Sequence, residues 1–244
     1  MSTTPAIQLT GRPSPKALAR IAGLCQALEG TTATFGQVQV MGSLFVAGNA
    51  AASAGNIVAH ERLFWLGFAS SLLGAIFHIA WAVVMYFLLR PAGRKTSAFA
   101  LSAILVGCAI QVVTAVLYVA PMVVLKGAAA LSSFTAAQVQ ALAFTFMRLN
   151  SYAFNMYLVF FGLWCALTGV LIMRSRFMPR ILGALLTISG IGWMTYLVPP
   201  VAVHLFIPYL AAASAIGEIP LLLWLLIAGV NNERWHQQAR SAAA

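Results

Sequence analysis

Aspartate is missing from this 244-residue chain, and only Glu29, Glu61, Glu218 and Glu233 carry acid. Carboxylate-built metal sites and glycosidase-type acid pairs are thereby nearly excluded by inventory. Charged residues of both signs reach only 7%, where a soluble domain carries roughly 25%. Cysteine is scarce as well. Cys25, Cys108 and Cys165 lie one per apolar segment with no CxxC spacing, so they read as small hydrophobes rather than redox or metal ligands. No P-loop, nucleophile elbow, HExxH or dinucleotide fingerprint occurs. No metal and no cofactor is expected, and the reading leans away from an enzyme.

What remains is apolar. Hydrophobic residues make up 61% and the mean hydropathy is +0.91. Eighteen charges cannot clothe a 26.0 kDa globule, so most of the surface must face lipid. The net charge of +10 would suggest nucleic acid in a soluble protein. Here the basic residues sit in short tracts between apolar runs, which sets membrane orientation instead; no nucleic-acid partner is expected.

The fold class follows as an all-α, polytopic transmembrane helix bundle, because in hydrocarbon only a helix satisfies its own backbone at these lengths. About six spans are expected, at residues 17–40, 63–89, 98–125, 150–173, 180–198 and 205–230. They form one transmembrane domain, 17–230, between a disordered N-terminal tail, 1–16, and a short C-terminal tail, 231–244. No signal peptide is expected. One set of loops and tails holds Arg12, Lys16, Arg20, Arg90, Arg94, Lys95, Arg174, Arg176, Arg180, Arg234 and Arg240; the other holds Arg62, Lys126 and Arg148. This bias places both termini on the cytoplasmic side, with the chain expected in the cell's inner (plasma) membrane. Thr135 with Gln138 forms a capping box that should open a short outer helix before the fourth span. Short loops make the second and third spans, and the fourth and fifth, antiparallel neighbours, and Pro179 is placed to start the fifth.

An ionisable residue deep in a span is a candidate functional group. Counted from the cytoplasmic ends, Glu218 lies ~20 Å deep, His78 ~18 Å and Gln111 ~21 Å. Three polar side chains on three helices thus share one mid-membrane layer. Glu29, ~13 Å deep, is within side-chain reach of it. Gln26, Glu29 and Gln37 fall near one face of the first helix, which should therefore meet protein rather than lipid. Beside Glu218, Gly217 permits close helix approach and Pro220 should kink the helix and free the carbonyl of Ile216. A carboxylate, a freed carbonyl and a small residue at mid-membrane could hold a proton or cation. The same set could equally be hydrogen-bonded glue between helices.

His60, His204 and His236 lie near or beyond the interfaces, so His78 lacks a matched partner for bis-histidine ligation and reads as a hydrogen-bond partner or proton relay. Arg148, Asn150 and Asn155 form an expected outer-end polar cluster, with Arg148 snorkelling to the interface. Tyr152, Trp65, Tyr118 and Tyr196 suggest an outer aromatic belt, and the FFGLW run suggests packing.

The stretch NSYAFNMYLVFFGLWCALTGVLIMRSRFMPRILGALL, with ARIAGL, ERLFWLGFASSLL and GEIPLLLWLL, resembles a bacterial family of multi-pass membrane proteins known as domain of unknown function four-three-eight-six. The likeness covers Ala19 to Val230, and RSRFMPRILG is its most specific block. It implies about six helices and no established activity. Asn155, Phe161, Gly162, Pro179, Arg180, Gly183, Gly217 and Glu218 stand where similar residues stand in the family. His78 occupies a position often acidic there, and Trp164 one often histidine.

Two functions fit. One is transport of an ion, proton or small solute through the polar layer; the other is a structural or regulatory membrane protein binding a second membrane protein or lipid. Orientation is open to direct test. Alkaline phosphatase fused after Lys126 should be active and after Arg94 silent; the reverse pattern would invert the topology.

Overall fold

The computed structural model describes residues 13–127, 131–205 and 211–242. Of the described residues 88% are helical and none lies in a strand. Ser14 accepts a hydrogen bond from the Ala17 amide and Pro15 occupies the first turn, so α1 (Pro15–Ala33) begins inside the stretch expected to be a tail; residues 1–12 of that tail lie outside the described residues. A π-helical segment, Thr34–Val40, carries the helix on into α2 (Met41–Leu44). After α3 (Ala50–Ala59), capped by Asn49, come α4 (Glu61–Leu89) and α5 (Arg94–Lys126). The Thr135–Gln138 capping box is present, but it opens a single 39-residue helix, α6 (Ala136–Arg174), rather than a separate short one. Then follow α7 (Arg180–Met194), α8 (Pro199–Leu205), α9 (Ala211–Ile227) and α10 (Asn232–Ser241).

Six helices close a ring of neighbours: α1 packs on α4, α4 on α5, α5 on α6, α6 on α7, α7 on α9, and α9 on α1. Four of them are long and apolar enough to cross a membrane: those within 61–92, 94–126, 136–174 and 180–197. A fifth is added if Ser214–Ile227 is counted with Asn232–Ser241. The expected sixth, residues 17–40, contains Arg20, Gln26, Glu29 and three threonines, which dilute its apolar character. Part of the last expected span, residues 206–210, lies outside the described residues. Along α1 the buried positions are Pro15, Ala19, Ala22, Gly23, Gln26, Glu29 and Ala33. Spacings of four and three put Gln26 and Glu29 on a stripe facing protein. Of the polar residues that weaken residues 17–40 as an isolated span, the ring covers Gln26 and Glu29, while Arg20, Thr31 and Thr34 stay exposed.

Close approach of α6 and α7 rests on four glycines in two facing pairs. A Cβ on Gly162 would come within 2.5 Å of the Gly190 carbonyl oxygen, and one on Gly190 equally close to that of Gly162. Gly169 and Gly183 oppose each other in the same way. Backbones this near leave no room for any side chain, which is how membrane helices gain dispersion contact without a hydrophobic driving force.

Gly217 and Pro220 lie within one helix, and a sharp bend follows it. Helix α9 is continuous through Pro220, while the chain bends by 104° between Ile227 and Asn232. There Gly229 adopts φ 68° and donates to the Trp224 carbonyl at 2.8 Å, closing the helix with a left-handed residue that favours glycine. Gly217 does serve as a contact point: a Cβ there would lie 2.5 Å from that of Ser189 and 2.7 Å from the Leu185 carbonyl oxygen on α7. Beyond the bend, α10 crosses the end of the bundle. Trp235 Nε1 donates to the Leu88 carbonyl at 2.8 Å, and the Lys16 amide donates to Asn232 Oδ1 at 2.9 Å.

Gly190→Ala should cost about 1–3 kcal/mol through overpacking, measurable as a lowered thermal midpoint in detergent. Gly30→Ala, where nothing lies within 4 Å, should leave the midpoint unchanged or raise it.

Candidate functional site

Inside the ring the polar residues form two groups. The first joins α1, α4 and α6. His78 is fully buried, and its Nδ1 lies 3.3 Å from Glu29 Oε1 and 2.9 Å from Tyr157 Oη. Tyr157 also donates to Glu29 Oε1 at 3.4 Å. One carboxylate, one imidazole and one phenol therefore contact each other around a single ring nitrogen. The rest of the imidazole is enclosed by aromatic rings: Trp81, Phe161 and Trp164 lie with centroids 5.4, 5.5 and 5.7 Å from it, the last two edge to face. In that setting His78 Nε2 has no hydrogen-bond partner among the described residues, and neither has Trp81 Nε1. A buried ring nitrogen without a partner is uncommon, because its desolvation goes uncompensated.

The second group joins α7 and α9. Glu218 Oε1 accepts from Trp193 Nε1 at 2.8 Å, Ser189 Oγ at 2.9 Å and Ser214 Oγ at 3.0 Å. Three donors on one oxygen hold the carboxylate on the helix pair that Gly217 brings together. Gln26 connects the two groups: its Nε2 donates to the Glu218 backbone carbonyl at 3.1 Å. The carbonyl reached is that of Glu218 itself, not that of Ile216, which Pro220 deprives of its helical donor. Phe161 lies between the groups, with its ring 5.5 Å from His78 and 6.1 Å from Trp193.

The layer expected from depth alone is thus partly regrouped. His78 meets Glu29 rather than Glu218. Gln111 is buried on α5 but makes no hydrogen bond to either group, and its Oε1 has no partner. The proposed outer cluster does not form. Residues two apart on a helix face different ways, so Arg148 is exposed and reaches Tyr152 Oη at 3.3 Å, while Asn150 is buried and donates to the Thr114 carbonyl on α5 at 2.9 Å. Asn155 joins neither of them. Tyr118 leaves the aromatic belt for the interior, where its hydroxyl donates to the Gly36 carbonyl at 3.4 Å in the π-helical segment.

Depth arithmetic missed Tyr157, Trp81, Trp193, Ser189 and Ser214. A helical-face signal was nonetheless present. Tyr157, Phe161 and Trp164 recur at offsets of four and seven, Trp81 follows His78 by three, Ser189 precedes Trp193 by four, and Ser214 precedes Glu218 by four. Among the described residues no group of three or more His, Cys, Asp or Glu side chains could hold a metal ion.

Glu218→Leu should strand three donors at about 1–3 kcal/mol each, whereas Glu218→Gln keeps an acceptor in place. Thermal unfolding in detergent should therefore show a much larger loss for Leu than for Gln; equal losses would mean these bonds contribute nothing.

No curated protein and no solved structure shows significant similarity to the chain. A family model described as Domain of unknown function (DUF4386) matches residues 21–229, from the second turn of α1 to the bend after α9. With nearly the whole helical ring inside that match, the chain belongs to this family.

Proposed function

We propose that this membrane protein carries a proton or small cation through its polar centre, with Glu29, His78 and Tyr157 as the exchanging groups and Gln26 linking them to Glu218. One observation carries the reading: His78 is fully buried against a carboxylate and a phenol while its second ring nitrogen is left without a partner. A packing device would be expected to satisfy both nitrogens. A relay needs one free to gain or lose a proton. Carboxylate, imidazole and phenol within 2.9–3.4 Å of each other can pass a proton once small shifts shorten the two longer contacts.

A second reading, a structural or regulatory protein that binds lipid or another membrane protein, is favoured by Glu218. Its bonds run to α7 and to its own helix, as glue would.

Liposomes containing the full chain and a trapped pH-sensitive dye separate the two. The expected result is dye response to an imposed pH or cation gradient in the wild type, at least tenfold reduced in Glu29→Gln, with both proteins equally folded by tryptophan fluorescence. Wild-type liposomes no more permeable than empty ones would overturn the carrier reading.

A further inference from the structure

One end of the bundle gathers the α6–α7 turn, the start of α7 and the crossing helix α10 around a pocket of about 490 Å³. Its lining includes three arginines, Arg176, Arg180 and Arg234, with Gln237, Gln238 and Ser241, and no carboxylate. Among the described residues the one pairing of a lysine or arginine with a carboxylate is Glu61–Lys126, so none of the three arginines is neutralised by a pair. Three guanidinium groups around one concavity repel each other and gain from an anion that accepts from all of them.

The pocket is held in shape. Gln238 accepts from the Arg176 amide at 2.9 Å and donates to the Arg174 carbonyl at 3.3 Å, tying α10 to the turn from both sides. The Asn231 amide donates to the Phe177 carbonyl at 3.3 Å, and Phe177 and Met178 are buried beneath. Helix α7 starts at Arg180 with no side-chain cap on its first amides, which adds positive potential at the same place.

We propose that this pocket binds the phosphate of an anionic phospholipid headgroup. Its position at the end of an apolar helix is where headgroups lie. From Arg180, α7 leads away along Ile181 and Ile188, seven residues apart on one face and left 62% and 59% uncovered by protein. An acyl chain can lie along that face while its phosphate sits among the arginines. A free phosphate would use only the pocket and a soluble acidic peptide would have no use for the isoleucines, so the lipid fits best.

The test uses full-length protein purified in a neutral detergent, with native mass spectrometry and thermal unfolding as readouts. The probes are dioleoylphosphatidylglycerol, dioleoylphosphatidylcholine and sodium phosphate. Phosphatidylglycerol should be retained and raise the midpoint, phosphatidylcholine should do neither, and phosphate at equal concentration should give no shift. Arg180→Gln and Arg234→Gln should each weaken phosphatidylglycerol retention about fivefold, and Arg148→Gln at the opposite end should not. If Arg180→Gln fails to fold, Arg234→Gln on the surface of α10 decides alone. Equal retention of both lipids, or wild-type retention by the arginine variants, would overturn the proposal. A shift reproduced by phosphate would show a free-anion site and overturn the lipid assignment.

Discussion

A carboxylate carried into hydrocarbon must find donors inside the protein, since lipid supplies none, and the contact of Glu29 with His78 and Tyr157 is where this chain meets that requirement. Those three residues come from α1, α4 and α6, so the requirement can be met only when three helices of the ring are assembled. Gln26, one turn earlier on α1, adds α9 through the Glu218 carbonyl. Small residues then let the helices approach closely enough for such short side chains to reach: Gly23 against α9, Gly74 against α1, and the paired glycines between α6 and α7. Polar satisfaction and close packing are therefore coupled, and neither is available to a single helix.

This coupling explains why α1 falls short of the apolar standard that four other helices meet. Arg20, Gln26 and Glu29 would each cost several kcal/mol if exposed to acyl chains, but Gln26 and Glu29 lie on the stripe the ring buries. The stripe that meets protein carries Gln26 and Glu29, while Ile21 and Leu24 are among the uncovered residues. A hydropathy test reads the average of those faces and so undervalues it.

Much of the fold was legible in the chain because it depends on local chemistry: apolar runs, the Thr135–Gln138 cap, the proline before α7, and short turns that force antiparallel neighbours. The candidate site was legible only in part. Depth along a helix can be counted from its end, which found His78, Glu29, Gln111 and Glu218, and the face shared with Glu29 added Gln26, but azimuth is set by which helices become neighbours, and that is a property of the whole ring. His78 therefore met Glu29 instead of Glu218, and Asn150 turned inward while Arg148 turned out. Residues such as Tyr157 and Trp193 carry a polar atom at the tip of a largely apolar body, and so pass for packing until a neighbour is known.

Glu29 and Glu218 are alike in sequence terms, each an isolated acid in an apolar helix, yet their surroundings divide the work between them. Three donors converge on one oxygen of Glu218, so moving that oxygen costs several bonds at once. Glu29 shares its donors with an imidazole and a phenol that can each give or take a proton, so alternative hydrogen-bond patterns exist around the same heavy atoms. Because Gln26 and Glu29 are three residues apart on one face of α1, a shift of that helix at Glu29 also strains the hydrogen bond from Gln26 to the Glu218 carbonyl. The Glu218 carboxylate holds α9 to α7, its backbone carbonyl holds α1 through Gln26, and α1 so held keeps Glu29 within reach of His78.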